Sequence, residues 1–467
     1  MGGRKDREIY QRNRRIQLSH EKGDQVMLSL SDHYTLPKLL RFTLPSVSMM
    51  IFTSIYLVID GFFVSNYVGK NALAAVNMVY PIIMIIASIG FMFGSGGSAL
   101  VAAMLGEGES EKAKKTFTLM YLFPMALGLL VAIPAFIFLP KICILMGAEG
   151  ELLSDSIIYG RVLLSTVVLF IVQMESQIFF VTAERPKLGL LSTVIGCGTN
   201  IVLDGLFCAV FKWGIEGAAA ATAISQAVGG IIPLLYFSFA KNNKLHFTHT
   251  KMDWKDIKRS ASNGFSELLS NTSSSIVAML FNFQLMRFSG EDGVAAYSVL
   301  MYVNMVFLSS FIGFSSGSSP IVSYNYGSGN DKELKGIFKK ISLLISITSL
   351  LMLFLSFIMA KPLSYLFVGY DKELYAMTVR GFYIYAFSFI FAGINIFSSS
   401  FFTALNNGKV SAFLSLLRSF ILPCSLVLIL PYILGIDGIW GTLVLSEGIA
   451  FFFSILCLLL FRKRYRY

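Results

Sequence analysis

Residues 116–139 read TFTLMYLFPMALGLLVAIPAFIFL, with no charged side chain anywhere in the run. A helix of that length extends about 36 Å, enough to cross the roughly 30 Å hydrocarbon core of a bilayer. A helix also satisfies its own backbone polar groups, which lipid cannot do. Working outward, comparable apolar stretches lie near 42–68, 72–104, 156–181, 187–211 and 217–240. Six more follow near 261–288, 294–322, 337–360, 376–403, 409–433 and 438–461. The expectation is an all-α, polytopic membrane protein with twelve transmembrane helices.

Composition agrees. Of 467 residues, 55% are hydrophobic and only 14% are charged; a soluble domain normally carries about 25% charged residues. Twelve spans of about 20 residues take up half the chain, which leaves no room for a separate soluble catalytic domain. The net charge of +11 does not indicate nucleic acid, because the basic residues fall between apolar segments rather than on one soluble face. The five cysteines (Cys143, Cys197, Cys208, Cys424 and Cys457) have no paired or metal-like spacing, and four lie inside apolar stretches as packed thiols. The first 36 residues are basic, with Arg4, Lys5, Arg7, Arg12, Arg14 and Arg15, and contain no apolar segment of a cleaved signal.

Charge also predicts orientation. If the N-terminal tail and every second loop face inward, that side holds 29 Lys and Arg against 8 on the other. Both termini are therefore expected in the cytoplasm. Trp213 and Trp440 are read as members of an outer aromatic belt.

The chain repeats itself at an offset of 221 residues. Gly69 maps to Gly290, Ala74-Ala75 to Ala295-Ala296, and Gly106 and Gly108 to Gly327 and Gly329. Thr182-Ala183 maps to Thr403-Ala404, and Gly214-Ile215-Glu216-Gly217 to Gly435-Ile436-Asp437-Gly438. Six spans fit in one repeat, so the halves share one orientation, an arrangement suited to alternating access. The expected domains are a basic tail (1–36), a first six-helix lobe (37–240), a linker (241–260), a second six-helix lobe (261–461) and a basic C-terminal tail (462–467).

Ionisable residues within spans cost roughly 2.5–3.5 kcal/mol each on insertion scales and so mark function. Asp60, Asp204, Glu267 and Glu175 stand out against one base, Arg418. Asn200 and Asp204 are one turn apart on the fifth span, and Thr222 opens the sixth. Together with Asp60 they make an all-oxygen set. Such ligands suit Na⁺, and two carboxyls buried together equally suit a shared proton, since like charges do not both ionise cheaply. A hydrogen-bond network that only locks helices is the alternative. At the repeat offset Asp60, Asn200, Asp204 and Thr222 map to Phe281, Ile421, Ser425 and Leu443. The set belongs to one half, as a dedicated site would. Glu267 is a candidate for a cationic substrate or a second proton, or a residue of the inner interface. Glu175, between Gln173 and Gln177, is a substrate or proton candidate, or a helix–helix hydrogen bond. Arg418 pairs with an acid or snorkels. Pro45 is expected to kink the first span. Gly94-Ser95-Gly96-Gly97 lacks the Gly-Lys of a phosphate loop, and the four histidines form no ligand cluster.

The segments Val58-Ile59-Asp60-Gly61-Phe62-Phe63-Val64, Asn200-Ile201-Val202-Leu203-Asp204-Gly205 and Trp213-Gly214-Ile215-Glu216-Gly217, with the repeat length, resemble the multidrug and toxic compound extrusion (MATE) family over roughly residues 36–461. The resemblance implies two pseudo-symmetric six-helix lobes around a central cavity and export driven by Na⁺ or H⁺. It implies a cation site at Asp60, Asn200, Asp204 and Thr222, a hinge at Pro45 and a contributing acid at Glu267. No further metal or cofactor is expected. The expected protein is a monomeric multi-pass transporter of the bacterial inner membrane, exporting amphipathic, often cationic small molecules, and not an enzyme or a nucleic-acid binder. A lipid-linked precursor flippase of the same superfamily is the alternative.

Overall fold

The computed structural model describes residues 28–239 and 243–467, and among these every regular element is helical. In chain order they are α1 (Leu36–Phe63), α2 (Lys70–Gly106), α3 (Ser110–Leu145), α4 (Gly150–Thr182), α5 (Pro186–Asp204) and α6 (Gly214–Phe239). The helix Trp254–Gly327 follows, broken by a non-helical Gly290 into α7 (254–289) and α8 (291–327). Then come α9 (Asp331–Val368), α10 (Lys372–Tyr385), α11 (Ser388–Ala404), α12 (Gly408–Leu416), α13 (Leu422–Ile429), α14 (Pro431–Leu434) and α15 (Ile436–Tyr465). Among the described residues ten helices are long and apolar enough to cross a membrane, with 254–327 and 408–434 each counted once, or eleven if α10 and α11, bent by 48°, form one span.

Local chemistry sets the helix ends. Asp253, Asn330, Asp371 and Asn407 cap α7, α9, α10 and α12 by accepting from backbone N–H groups of the first turn. The cap at Asp253 starts α7 inside the stretch expected to be linker. The turns use repeated glycines. Gly69 and Gly290, Gly108 and Gly329, and Gly214 and Gly435 all take positive φ, which side-chain-bearing residues rarely adopt. The 221-residue offset is thus a repeat of backbone conformation as well as of letters.

One apolar core is built only from residues between Val64 and Ala219, and another only from residues between Val277 and Trp440. A third, at the end of the molecule that holds Leu30, Tyr34 and Tyr467, mixes both halves: Leu39, Phe42 and Val47 pack with Phe314, Ile321 and Ile345. The halves meet there backbone to backbone. A Cβ at Gly96 would overlap the Ser260 carbonyl, one at Gly264 the Met92 carbonyl, and one at Gly106 the Tyr324 carbonyl. Gly317 is packed in the corresponding way against Thr43 and Ser46 of α1.

One expectation, on Trp440, is corrected, and both ends of the described chain are packed. In residues 28–35 Leu30 and Tyr34 are buried, Ser29 and Leu30 bond to Glu184, and the Tyr34 N–H donates to Glu333. The rest of that tail, residues 1–27, and Lys241 of the linker lie outside the described residues. The C-terminal residues pack likewise, with the buried Tyr467 hydroxyl donating to the Leu458 carbonyl at 2.7 Å. Trp213 is half exposed as a belt residue should be, but Trp440 is buried, with Gly381 and Tyr297 against its ring.

Candidate functional site

α1, α5 and α6 bring Asp60, Asn200, Asp204 and Thr222 together. Asp60 and Thr222 are each 7% exposed and Asn200 and Asp204 fully buried. The Asp60 carboxyl lies beside the Asp204 carboxyl, the Asn200 amide and the Thr222 hydroxyl, and Asn200 Nδ2 donates to Thr222 Oγ1 at 3.4 Å. This leaves Asp60 Oδ1, both carboxyl oxygens of Asp204 and Asn200 Oδ1 without a protein donor. Buried acceptors are normally satisfied, so these four neighbouring oxygens are candidates to take protons or a hard cation. The donor chemistry fits Na⁺. Among the described residues no cluster of three or more His, Cys, Asp or Glu exists for a transition metal.

Three tyrosines were not anticipated. Tyr56, one turn before Asp60, and Tyr80 and Tyr159 from α2 and α4 stand close enough to Asp60 for its charge to act on them, and Tyr159 lies beside Thr222. The spacing of Tyr56 was a readable signal; the other two come from distant spans. The backbone also departs from α geometry here. π-helical turns at Val64–Val68 and Gly205–Val210 follow Asp60 and Asp204, and a third, Leu417–Ile421, contains Arg418. Such turns collect at functional places.

The second half treats the equivalent place differently. Phe281, the counterpart of Asp60, is fully buried and stacks on Tyr297 at 5.2 Å, which stacks in turn on Trp440 at 6.5 Å. These rings stand where the first half has Val76 and Ala219.

The other polar place is a cavity of about 390 Å³, walled mainly by the second half, with Met50, Phe91, Ser95 and Ile178 from the first. Glu267 and Arg418 line it. So does Glu447 of α15, an acid in an apolar run that was overlooked among the intramembrane charges. Arg418 Nε donates to both Glu447 carboxylate oxygens, at 2.8 and 3.1 Å, so Arg418 is paired rather than snorkelling. Glu175 is absent from the wall. It is fully buried, neither of its carboxyl oxygens has a donor, and its Cα would lie 2.9 Å from a Cβ at Gly94. Pro45 is buried in α1, which runs through it unbroken beside the crossing with α8.

A profile of the MatE family matches the chain twice, over residues 45–206 and 268–429, two stretches of equal length spaced nearly as the internal repeat. The chain is 22% identical over 430 residues to the multidrug export protein MepA of Staphylococcus aureus, covering 91% of this chain and 94% of that one. It is 21% identical over 446 residues to MepA of Staphylococcus haemolyticus, covering 94% and 97%. Among solved structures it resembles a MATE protein crystallised with MaL6 (TM-score 0.87, 22% identity, 93% and 97% covered). It also resembles an outward-facing multidrug resistance MATE family transporter of the MOP superfamily (TM-score 0.86, 22% identity, 93% and 96% covered).

Proposed function

Taking as premise that the chain belongs to the MatE family of membrane transporters, we propose that it is a cation-coupled antiporter exporting amphipathic small molecules. The observation that carries the reading is the set of four undonated, buried oxygens of Asp60, Asn200 and Asp204. Its replacement in the second half by the Phe281–Tyr297–Trp440 stack argues against shared structural glue. The names of the related export proteins supply the substrate class.

Counting α7 and α8 as separate spans, α10 with α11 as one, and α12 to α14 (Gly408–Leu434) as one makes twelve spans, six in each half. At about 110 Å, a single straight 74-residue helix is far longer than a bilayer. The charge bias puts both termini in the cytoplasm, and a bacterial inner membrane is the natural location. The glycine-tight contacts between halves then close the cytoplasmic end, leaving the cavity to open outward. Na⁺ or H⁺ entering from outside occupies the Asp60/Asp204 pocket, α1 adjusts near Pro45 and its π-turn, and the bound molecule leaves. Coupling requires that ion and substrate each weaken the other's binding. The cavity holds more acids than bases, which does not favour a flippase for a pyrophosphate-linked lipid.

Proteoliposomes loaded with a cationic dye and given an imposed Na⁺ or pH gradient test the proposal. The gradient that drives efflux names the ion, and Asp60→Asn and Asp204→Asn should each abolish it with normal insertion. Full activity in either variant overturns the ion-site assignment.

A further inference from the structure

We infer that the pocket between the start of α3 and the segment leading into α7 binds the phosphate headgroup of an anionic phospholipid. It lies outside both the Asp60/Asp204 pocket and the central cavity, and it does not depend on what the protein exports.

The segment before α7 is fastened to α3 at two places. Phe247 stacks on Phe117 at 5.6 Å, and the Thr248 N–H donates to Thr118 Oγ1 at 3.0 Å. Further on, Thr116 Oγ1 donates to Asp256 Oδ2 at 2.9 Å. Between these fastenings, residues 249–253 and the first turns of α3 enclose a pocket of about 350 Å³. Its wall carries Lys112, Lys115, His249 and Lys251, with Asp253 and Asp256. Both acids are engaged within the protein: Asp253 caps α7, and Asp256 holds Thr116. Lys112 pairs with Glu109 at 2.8 Å. The ammonium groups of Lys115 and Lys251 and the ring of His249 have no ion pair or hydrogen bond among the described residues, and all three residues are exposed. The surroundings are basic as well, with seven Lys or Arg against four Asp or Glu over residues 109–116 and 249–259. Lysines gathered around one pocket repel each other unless they share an anion.

The repeat supplies an independent observation. At the offset of 221, residues 28–35 correspond to 249–256 and Glu333 corresponds to Lys112. In that other copy the chain fills the place itself. Leu30 and Tyr34 are buried, Glu333 accepts from the Tyr34 N–H at 2.9 Å and pairs with His33, and Lys340 donates to the Tyr34 carbonyl. Here Leu30 is replaced by Lys251, Tyr34 by Lys255 and Glu333 by Lys112. Apolar plugs have become lysines, and the acid that held the plug has become a base. One copy is thus closed by its own chain, and the other offers the same place to an anion.

The neighbouring surface makes that anion a lipid. Trp254, beside the pocket, is 59% exposed, with its ring edge-on to Phe123 at 6.0 Å, and Met252 is exposed too. An indole in this setting is the usual anchor at headgroup depth. Leu122 and Leu129 follow Lys115 at steps of seven residues, on the same side of α3, and both are exposed. Acyl chains lying along that stripe put the phosphate at Lys115. Basic pockets between helices at the membrane surface are suited to lipid headgroups, whereas a soluble phosphate makes no use of the apolar stripe.

The test titrates the full-length protein in neutral detergent with dioctanoyl phosphatidylglycerol or dioctanoyl phosphatidylcholine, and counts bound lipid by native mass spectrometry. Phosphatidylglycerol should bind more tightly than phosphatidylcholine. Lys115→Gln combined with Lys251→Gln should weaken it by about tenfold or more, since each lysine beside an anionic headgroup is worth about fivefold. Lys115→Arg combined with Lys251→Arg should keep affinity within about twofold, because arginine serves a phosphate equally well. Lys335→Gln combined with Lys339→Gln removes as much charge from exposed sites on α9, and should change binding by about twofold or less through screened attraction alone. Equal losses in the two glutamine pairs would reduce the effect to diffuse attraction and overturn the site, as would no loss in either. A loss in the arginine pair as large as in the glutamine pair would overturn it too, since charge would not be what binds. Displacement of the lipid by inorganic phosphate at comparable concentration would overturn the lipid in favour of a soluble phosphate ligand.

Discussion

Asp60 and Phe281 are 221 residues apart at equivalent places in the repeat, and they do opposite things: one is a buried carboxyl facing Asp204, the other a buried ring stacked 5.2 Å from Tyr297. The two halves share a backbone but carry different chemistry at its centre.

If the first of these places binds the coupling ion, the ion must stabilise the fold by mass action, by about 2.7 kcal/mol at a hundred times its dissociation constant. Thermal unfolding in detergent should therefore shift upward with Na⁺, or on acidification if the ion is a proton. Asp204→Asn should erase that shift. A shift of unchanged size in the variant would place the ion elsewhere.

Glu267 lines the cavity and Glu175 does not. Glu267→Gln should weaken binding of a cationic dye by about tenfold, the weight of a charge-assisted bond, while Glu175→Gln should change it less than about twofold, within the scatter expected for a residue outside the contact. Equilibrium dye binding checks this, and comparable losses in both would mean that Glu175 reaches the ligand after all.

The halves close on bare glycine backbone at Gly96, Gly264 and Gly106. Gly264→Val forces the backbones apart, at a cost of about 1–3 kcal/mol of overpacking. The closed arrangement alone should suffer, so a cysteine placed at Ser95 should become more accessible to a reagent from the cytoplasmic side. No change in labelling would mean that this crossing is not the closure.

Trp440 and Trp213 look alike in sequence, each beside a Gly-Ile-acid-Gly turn, yet Trp440 is 2% exposed and Trp213 53%. Trp440→Ala should lower stability by about 3–5 kcal/mol through the cavity it leaves; Trp213→Ala should stay within about 0.5 kcal/mol. Paired unfolding curves decide this, and equal effects would remove the aromatic stack as the reason for the halves' difference.

Much of the molecule was legible from the chain alone. Long uncharged runs can satisfy their backbone in lipid only as helices, so helix class and membrane embedding followed from length and hydropathy. The repeat was visible because glycines recur wherever the turns need positive φ, as at Gly69 and Gly290 or Gly214 and Gly435. Asp60, Asn200, Asp204 and Thr222 were legible because a polar group inside a span is conspicuous against its neighbours.

What the chain did not reveal depends on partners far apart in sequence. Glu447 passed unnoticed, and its pairing with Arg418, 29 residues away, exists only once the π-turn after α12 packs against α15. The depth of Trp440 depends on Tyr297, the closeness of Tyr159 to Asp60 on α4 meeting α1, and the absence of Glu175 from the cavity on which side of α4 faces α2. Hydropathy marks a residue as inside the membrane, but protein and lipid are equally apolar, so which helix face meets a neighbour, a cavity or the bilayer is decided by packing alone. The sequence by itself determined a repeated, membrane-embedded all-helical protein with a one-sided acidic site; only the tertiary structure decided that the second half would place a stack of rings at the matching position and an oriented Arg418–Glu447 pair on the cavity wall.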